Sequence, residues 1–516
     1  MTMPQALDRA AARWGSQVAL KMIEGSDLVE LTWAQLRDSV ASLRSGLGLA
    51  GLDAGGKVGI MLGNQIEFPL AWLGCIDAGA VTVPLNPKYT RREVEFVLED
   101  AGATWLITTS ECMSRLLRDG RIGPVAQDHV IIVDGVQGGT GPAFADLLAA
   151  PITERTHVAH VLDVVNIQFT SGTTGMPKGC LLTHQYWVEF GAYAGALFDD
   201  PQRLLADHPF YYMQNQAYFT MALAGGGALY ITQGLSIRKF MGWLHDYRID
   251  FAWLDDFLLD LPESVGDKEL AIKKAPMAGL SGATHAAMEK RFELQLRDWY
   301  ASTEAGNGTF VPWERTDLVG TPTIGLAWPT SESKIIGPDG EEVAAGEQGE
   351  MCLRGSGMML GYHNRPEVNA ELFLPGGWYR TGDIVTKTAD GLHFYVGRIK
   401  DMVKRSGENI SCAEVEHVIF GMPQVAEVGV VPVPDEFRGE EAKAVVVLKA
   451  GASLTPGEID SWCREGLAAF KVPRYIEFRD ALPMTASGKV AKSVLRAESE
   501  PLHAKVVDLR PSRAAS

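Results

Sequence analysis

Strand-like and helix-like segments alternate along about four hundred residues of this chain, and this alternation limits the fold more than any other feature. Thr32 and Gln35 have capping-box spacing, and apolar residues then recur at helical intervals from Trp33 to Leu47. The next expected elements are a strand, a helix and three short strands, at residues 57–62, 66–78, 80–84, 105–109 and 129–134. Strands that alternate with helices over this length predict an α/β fold with largely parallel sheets.

The pattern changes from about Glu332, where closely spaced glycine-rich turns predict a small β-rich subdomain. Beyond residue 401 the expected order is helix, strand, strand, helix, at 413–420, 426–433, 443–448 and 459–469. This order predicts a separate α+β domain. We therefore expect a large domain over 1–397, a boundary at 398–401 and a small domain over 402–516.

Length and charge exclude some classes of partner. A chain of 516 residues exceeds what one compact core holds, and its formal net charge is −17. An acidic chain has no global electrostatic attraction for nucleic acid or for an anionic membrane. Any phosphate-bearing ligand must then be bound by local groups such as backbone amides, single cations or Mg²⁺. The sequence leaves the oligomeric state open, a homodimer included.

The six cysteines are scattered without a CxxC pair, which favours neither a disulfide framework nor a zinc site. No basic segment followed by an apolar one marks a signal peptide near the N-terminus, and the most apolar stretch, 217–231, is too short for a membrane span. These features predict a cytoplasmic protein.

Residues 169–179, FTSGTTGMPKG, carry the strongest chemical signal. They follow an apolar run, so they form a loop that leaves a strand. Glycines and hydroxyl residues offer N–H and O–H donors for phosphate oxygens, and Lys178 adds a positive charge. The segment is not a Walker loop, because Pro177 and Gly179 flank the lysine.

Further segments follow in a characteristic order: YASTE at 300–304, GEMCLRGSGMMLGY at 349–362, YRTGD at 379–383, GRIKD at 397–401, SGENI at 406–410 and PMTASGK at 483–489. Together with 169–179 they resemble the adenylate-forming superfamily, in its acyl-CoA synthetase or carboxylate–CoA ligase branch. The resemblance covers residues 30 to 496, and Ala301 replaces the usual glycine. It implies a large AMP-binding domain and a small mobile domain that carries a catalytic lysine.

The implied reaction has two steps. A carboxylate attacks the α-phosphorus of ATP to give acyl-AMP and pyrophosphate, and a thiol, most simply that of CoA, then displaces AMP. By the resemblance, the catalytic residues are Lys489, Thr303 and the Mg²⁺ ligand Glu304. ATP and AMP would be bound by Thr170, Ser171, Gly172, Thr173, Thr174, Gly175, Lys178, Gly282, Ala283, Tyr300, Asp383 and Arg398.

The remaining assignments concern the hinge, the thiol and the acid. The resemblance makes Lys400 the hinge residue and places Ser406, Gly407 and Glu408 on the CoA side. The acyl pocket would contain Tyr211, Tyr212, Met213 and Gly279. Many relatives carry histidine at the position of Tyr212, so gating of the acid and CoA tunnels is expected to differ.

The acid itself stays open at this stage. No aspartate occurs in FYYMQNQAYF, which argues against an amino-acid substrate. Asp255 and Asp256, with Trp253, would form a cation-accepting pocket for a betaine-like acid or, as the simpler alternative, cap a helix or face solvent. The alternatives to a CoA ligase are an enzyme that loads a carrier protein and a non-catalytic nucleotide-binding relative.

Overall fold

The computed structural model describes residues 1–25, 29–135, 141–170, 177–279, 282–406, 408–435, 437–485, 489–499 and 506–509. The α-helices are α1 Met3–Trp14, α2 Trp33–Leu49, α3 Glu67–Asp77, α4 Arg91–Ala101, α5 Ser110–Leu116, α6 Phe144–Leu148, α7 His184–Leu197, α8 Met213–Gly225, α9 Ile237–Asp246, α10 Gly282–Phe292, α11 Pro366–Leu372, α12 Cys412–Phe420, α13 Pro456–Gly466 and α14 Lys492–Ala497.

The β-strands are β1 Val18–Met22, β2 Glu30–Thr32, β3 Lys57–Met61, β4 Val81–Pro84, β5 Trp105–Thr108, β6 Arg121–Ile122, β7 Val125–Ala126, β8 Val130–Ile132, β9 Val164–Thr170, β10 Lys178–Thr183, β11 Arg203–Ala206, β12 Ala228–Ile231, β13 Lys274–Met277, β14 Gln295–Ser302, β15 Gly306–Phe310, β16 Thr323–Ala327, β17 Ser331–Ile336, β18 Gln348–Gly355, β19 Phe373–Leu374, β20 Trp378–Lys387, β21 His393–Arg398, β22 Met402–Arg405, β23 Glu408–Ser411, β24 Val425–Asp435, β25 Gly439–Leu448, β26 Tyr475–Phe478 and β27 Val506–Asp508.

Packing divides the described chain into two compact units. The first contains residues 1–170, 177–332 and 354–377, and the second contains 333–353 together with the described residues from 378 onwards. The expected boundary at 398–401 lies inside the second unit. The domain limits drawn from the sequence stay a prediction.

One sheet of the first unit has the strand order β10-β9-β4-β3-β5-β8, and it carries the candidate site described below. Its strands run parallel except for β10, which pairs antiparallel with β9. The expected strand at 57–62 and helix at 66–78 are β3 and α3. Helix α2 begins at the predicted capping box, where the Thr32 hydroxyl and the Gln35 side chain each accept from the other residue's backbone N–H.

A second sheet of this unit has the order β11-β12-β1-β2, in which β2 is the antiparallel strand. In a third group β13 runs parallel to β14, and β14, β15 and β16 then pair antiparallel in sequence. Helix α10 connects β13 to β14, as in other α/β crossovers. The predicted α/β class with parallel sheets is confirmed.

The N-terminal residues and helix α8 both pack against helix α7. The Met3 backbone N–H donates to His184 Nδ1 at 3.1 Å. Burial lowers the pKa of His184 to about 4, so this imidazole is a neutral acceptor at neutral pH. Helices α7 and α8 pack closely because Gly191 lies against the backbone of Thr220.

The second unit contains the strand order β21-β20-β18-β17 and a separate sheet in the order β23-β22-β25-β26-β27, with β24 paired to β25. Helices α12 and α13 bury Val415, Ile419, Ile459 and Cys463 in an apolar core that includes Val430 and Ala444. The β-rich region and the α+β order after residue 401 are confirmed. No helix among the described residues is long and apolar enough to cross a membrane.

Candidate functional site

The two ends of the predicted phosphate loop lie opposite each other. Thr170 ends β9, Lys178 begins β10, and these two residues are register partners in the antiparallel pair. Both are partly buried. The intervening candidates Ser171, Gly172, Thr173, Thr174 and Gly175 lie outside the described residues. The described geometry therefore fixes a hydroxyl and an ammonium group at the base of this loop.

Glu304 lies beside this base, in the turn that joins β14 to β15. Its Oε1 atom is 3.5 Å from the Thr170 hydroxyl and accepts a hydrogen bond from the Tyr362 hydroxyl at 2.7 Å. Its backbone carbonyl accepts from the Met359 N–H at 3.0 Å. A carboxylate is thus held within reach of the groups expected to bind phosphate.

Tyr362 reaches Glu304 because residues 360–363 run along β10. The Leu181 N–H donates to the Gly361 carbonyl at 2.9 Å, and the His363 N–H donates to the Gly179 carbonyl at 2.8 Å. The Asn369 side chain accepts from the Tyr362 N–H and donates to its carbonyl, both at 2.8 Å. The sequence motifs predict no role for Tyr362, although this residue ends the GEMCLRGSGMMLGY segment.

Thr303 is a predicted catalytic residue and Met213 a predicted residue of the acyl pocket, and the two are in contact in the structure. The Thr303 hydroxyl lies 3.5 Å from the Met213 sulfur, at the start of α8. Tyr300 is partly buried on β14, and a Cβ atom at Gly308 would lie 2.6 Å from its ring. Glycine at 308 therefore gives the tyrosine ring its space.

Tyr211 and Tyr212 form the end of a turn that is fixed by two side-chain amides. The Tyr212 N–H donates to the Pro209 carbonyl at 3.1 Å. Gln168 Nε2 donates to the Tyr211 carbonyl at 2.8 Å, and Asn64 Oδ1 accepts from the Phe210 N–H at 2.9 Å. Burial raises the pKa of Tyr211 to about 12, so its hydroxyl stays protonated at neutral pH. The two rings lie edge to face with centroids 4.8 Å apart.

Gly279, Gly282 and Ala283 lie around the start of α10. Gly279 is exposed, adopts φ +65° and donates its N–H to Asp298 Oδ2 at 3.1 Å. Burial raises the pKa of Asp298 to about 6. Gly282 is the first residue of α10 and approaches Gly320 so closely that a Cβ atom would lie 2.5 Å from the Gly320 carbonyl oxygen. Ala283 is exposed.

A group with two carboxylates and one imidazole lies next to the turn that carries Tyr211. Asp207 is 1% exposed, and its Oδ1 atom is 2.8 Å from His208 Nδ1. Its Oδ2 atom is buried without a hydrogen-bond partner among the described residues. Asp255 is partly buried and accepts from the Trp253 indole N–H at 2.9 Å, whereas Asp256 is exposed at the start of a 3-10 helix. Of the simpler alternative, the solvent-facing position describes Asp256, and Asp255 is the N-cap residue of this 3-10 helix, although its side chain makes no capping hydrogen bond.

We define Asp207, His208 and Asp255 as the Asp207 group. Burial and neighbouring charges shift the pKa values of its members in different ways. Burial raises the pKa of Asp255. Burial alone would lower the pKa of His208, but the contact with Asp207 raises it overall. His208 and Asp255 also interact electrostatically with each other, so the three side chains form one coupled group.

In the second unit the predicted ribose-binding residues Asp383 and Arg398 lie together. They are register partners on β20 and β21, and Arg398 Nε is 2.9 Å from Asp383 Oδ1. The Tyr395 hydroxyl lies 3.4 Å from the same carboxylate oxygen. Asp383 is 1% exposed while Arg398 is largely exposed, so the carboxylate is held by a cation that also reaches solvent.

The other predicted residues of the second unit lie on exposed turns. Lys400 is exposed in the 3-10 helix Ile399–Asp401, and Asp401 forms an ion pair with Arg496. Exposed Ser406 donates its N–H to the Arg438 carbonyl at 2.8 Å. Exposed Lys489 donates its N–H to the Thr485 hydroxyl at 3.1 Å. Gly407 and the side chain of Glu408 lie outside the described part of the chain.

The described ranges contain no group of three or more histidine, cysteine, aspartate or glutamate side chains that could hold a metal ion. Any metal at Glu304 would therefore need oxygen donors from a ligand or from water.

Comparison with known proteins identifies the family. The model of the AMP-binding enzymes matches residues 7–363, and that of the AMP-binding enzyme C-terminal domain matches 414–489. A crotonobetaine/carnitine–CoA ligase of Salmonella paratyphi A is 28% identical over 95% of this chain and 98% of its own length. A protein of the same name from Shigella flexneri is 30% identical over 86% of this chain and 89% of its own.

Solved structures agree in fold. The ATP-bound MatB of Rhodopseudomonas palustris aligns with a TM-score of 0.86 at 24% identity, over 97% of this chain and 99% of its own. A fatty acyl CoA synthetase of Mycobacterium tuberculosis aligns with a TM-score of 0.72 at 26% identity, over 96% and 98%. The chain therefore belongs to the AMP-binding enzymes, the adenylate-forming superfamily, and is an acid–thiol ligase of its carboxylate–CoA branch.

Proposed function

We propose that this ligase activates a carboxylic acid with ATP and Mg²⁺ and passes the acyl group to CoA. A carboxylate oxygen bonds to the α-phosphorus as the bond to the β-phosphate oxygen breaks, which gives acyl-AMP and pyrophosphate. The CoA sulfur then bonds to the acyl carbon, AMP leaves on its phosphate oxygen, and the thiol proton passes to solvent. The first step joins two anions, so it needs fixed cations and donors.

The observation that carries this proposal is the position of Glu304 beside Thr170 and Tyr362, next to the strands that hold Lys178. A carboxylate beside a phosphate loop would repel the phosphates unless a cation lay between them. This is the arrangement expected where a metal ion bridges a protein carboxylate and nucleotide phosphates.

The residues present fit Mg²⁺. Glu304 and Thr170 offer hard oxygen donors, and Glu304 Oε2 makes no hydrogen bond to any residue the structure describes. Mg²⁺ typically binds one or two carboxylates and takes its other ligands from phosphates and water. Bound there, it would neutralise phosphate charge, while the Thr170 hydroxyl and the Lys178 ammonium bind the β- and γ-phosphates.

The other roles follow from the family positions. Thr303 would donate to the α-phosphate, and its contact with Met213 joins that position to the acyl pocket of Tyr211, Tyr212 and Gly279. Tyr300 would stack on adenine beside Gly282 and Ala283. Asp383, held by Arg398, would accept from the ribose hydroxyls.

Lys489 would neutralise the carboxylate and the α-phosphate during adenylation. Rotation at Lys400 would then exchange it for Ser406, Gly407 and Glu408 on the CoA side. A carrier protein is the alternative acceptor, and it would be loaded without CoA.

For the acid we propose a carboxylate that bears a fixed positive charge. Carnitine and crotonobetaine, named in the relatives, are quaternary ammonium acids. The Asp207 group supports this class, because its two carboxyl groups lie beside the aromatic rings of Trp253 and Tyr218, and carboxylates and aromatic faces are the groups that attract a quaternary ammonium cation. Gln214, which follows Met213, donates to the Tyr218 hydroxyl at 2.8 Å and so joins this region to the acyl pocket.

We also propose that the enzyme works in the cytoplasm. All six cysteines are free and buried, as expected for a protein that folds under reducing conditions.

The test is a panel of carboxylic acids with ATP, Mg²⁺ and CoA, read by mass spectrometry for AMP and acyl-CoA. We expect AMP together with a thioester, with a trimethylammonium acid preferred over its uncharged tert-butyl analogue. Asp255→Asn should remove that preference and exposed Asp256→Asn should keep it. Equal use of both acids by the wild type would refute the charged-acid class, and acyl-AMP without a thioester would point to a carrier protein.

Lys489→Ala tests the assignment of the catalytic lysine. We expect the variant to lose adenylation by about 10²- to 10³-fold, because one group that stabilises developing charge is typically worth that much. Thiolysis of supplied acyl-AMP should largely survive. Normal adenylation by the variant would show that the lysine is assigned wrongly.

A further inference from the structure

We infer that Tyr362 is a positioning residue. It holds the Glu304 carboxylate and the Lys178 ammonium group where they can bind the nucleotide and its metal. This inference rests on the proposed role of Glu304 as the Mg²⁺ ligand. Tyr362 has no other assigned role. Its hydroxyl contacts the carboxylate of Glu304, and its ring contacts the ammonium group of Lys178.

The hydroxyl acts on the carboxylate. It donates to Glu304 Oε1 at 2.7 Å, the usual length of an O–H···O hydrogen bond. Since Oε2 makes no hydrogen bond to a described residue, the tyrosine engages one oxygen and leaves the other for a ligand. Outer partners that orient a metal-binding carboxylate usually matter for metal affinity.

The ring acts on the cation. Lys178 Nζ lies 5.3 Å from the centroid of the Tyr362 ring, within the range of a cation–π contact. A single side chain thus contacts both charged groups at the base of the phosphate loop. Lys178 and Glu304 thus each contact Tyr362, one through the ring face and the other through the hydroxyl.

The position of Tyr362 is itself rigid. The residue is 8% exposed. The Asn369 side chain accepts a hydrogen bond from its backbone N–H and donates one to its carbonyl. Its neighbours Gly361 and His363 are hydrogen-bonded to β10, the strand that carries Lys178. A side chain fixed to the same strand as the lysine can therefore set the carboxylate at a constant distance from it.

The experiment compares Tyr362→Phe with Glu304→Gln and with Tyr475→Phe. Tyr475 is 6% exposed in the second unit, so its variant removes a hydroxyl from an equally buried tyrosine. Binding of Mn²⁺ with α,β-methylene-ATP is followed by the electron paramagnetic resonance of free Mn²⁺, and adenylation is measured against Mg²⁺ concentration. We expect Tyr362→Phe to weaken Mn²⁺ binding about tenfold. It should raise the Mg²⁺ requirement, and saturating Mg²⁺ should restore kcat.

The control should match the wild type in both measurements. If Tyr362→Phe binds Mn²⁺ as the wild type does while Glu304→Gln loses binding, the inference is overturned and the proposed function stands. If Glu304→Gln also binds normally, the metal site of the proposed function is wrong. A purely structural role would lower the unfolding temperature of Tyr362→Phe without changing its Mg²⁺ dependence, and this too would overturn the inference.

Discussion

At the scale of single residues, two carboxyl groups of the first unit differ in their surroundings. Glu304 is partly buried and accepts from a tyrosine hydroxyl, and it lies near Thr170. Asp298 is buried and accepts from the Gly279 backbone N–H, with no ion pair among the described residues. The first arrangement places a carboxylate among hydrogen-bond donors where a ligand can reach it, and in the second, burial raises the pKa of the carboxyl group.

Asp298 gives a pH prediction. Burial raises its pKa from 3.8 to about 6, so the stability that the protonated group contributes is present below pH 3.8 and is lost as the pH rises through 6. That difference corresponds to about 3 kcal/mol. Relative to the wild type, Asp298→Asn should therefore gain up to about 3 kcal/mol between pH 4 and pH 8. Urea unfolding of both proteins at the two pH values measures this.

Asparagine keeps an oxygen that can accept from the Gly279 N–H, so the comparison isolates the charge. A difference in unfolding free energy that is the same at pH 4 and pH 8 would contradict the raised pKa of Asp298.

At the scale of elements, the packing of α7 on α8 sets where the first turn of α8 lies. Gly191 faces the backbone of Thr220, and a Cβ atom there would overlap the Thr220 carbonyl oxygen. Backbone atoms cannot rotate away as a side chain does, so the helices must separate. Because α8 begins at Met213, which contacts Thr303, this separation would also move the acyl pocket.

Gly191→Ala should therefore destabilise the protein by about 1–3 kcal/mol, the usual cost of overpacking. Gly242→Ala is the matched control, since Gly242 is an exposed residue of α9 whose Cβ would meet its nearest atom at 3.9 Å. The control should gain about 0.5–1 kcal/mol from helix propensity. Guanidinium unfolding measures both, and equal effects in the two variants would refute the packing argument.

Elements marked by local signals were predictable, and long-range partners were not. Thr32 and Gln35 are three residues apart, so the start of α2 could be predicted from the sequence. Family motifs likewise pointed to Glu304, and to Asp383 and Arg398, which pair on β20 and β21. Tyr362 is 58 residues from Glu304, and it meets Glu304 through pairing with β10 that no local pattern reveals.

Asp255 and Asp298 show the same limit for environment. The sequence left Asp255 between a pocket and the solvent, because burial depends on elements distant in the chain. Nothing in QLRDWY distinguishes the buried carboxyl of Asp298 from a surface aspartate on a strand. Side-chain chemistry and spacing identify candidates, and tertiary packing decides which of them keeps its ordinary pKa.

At the scale of the whole molecule, the cysteines report on folding in both units. All six are buried and free. Burial raises the pKa of Cys75 in the first unit to about 12, and burial likewise raises that of Cys463 in the second unit to about 12. Since the thiolate is the reactive form, buried thiols of high pKa should react very slowly.

Treatment with the thiol reagent DTNB at pH 8 should therefore modify almost no cysteine in the native protein. In guanidinium without reductant it should modify all six at once, because each thiol is then exposed and none is held in a disulfide. Fewer than six after unfolding would mean that disulfides had formed, against the proposed reducing compartment. Rapid reaction of a native thiol would instead mean that the unit containing it opens, and peptide mapping of the modified cysteine would identify which unit does so.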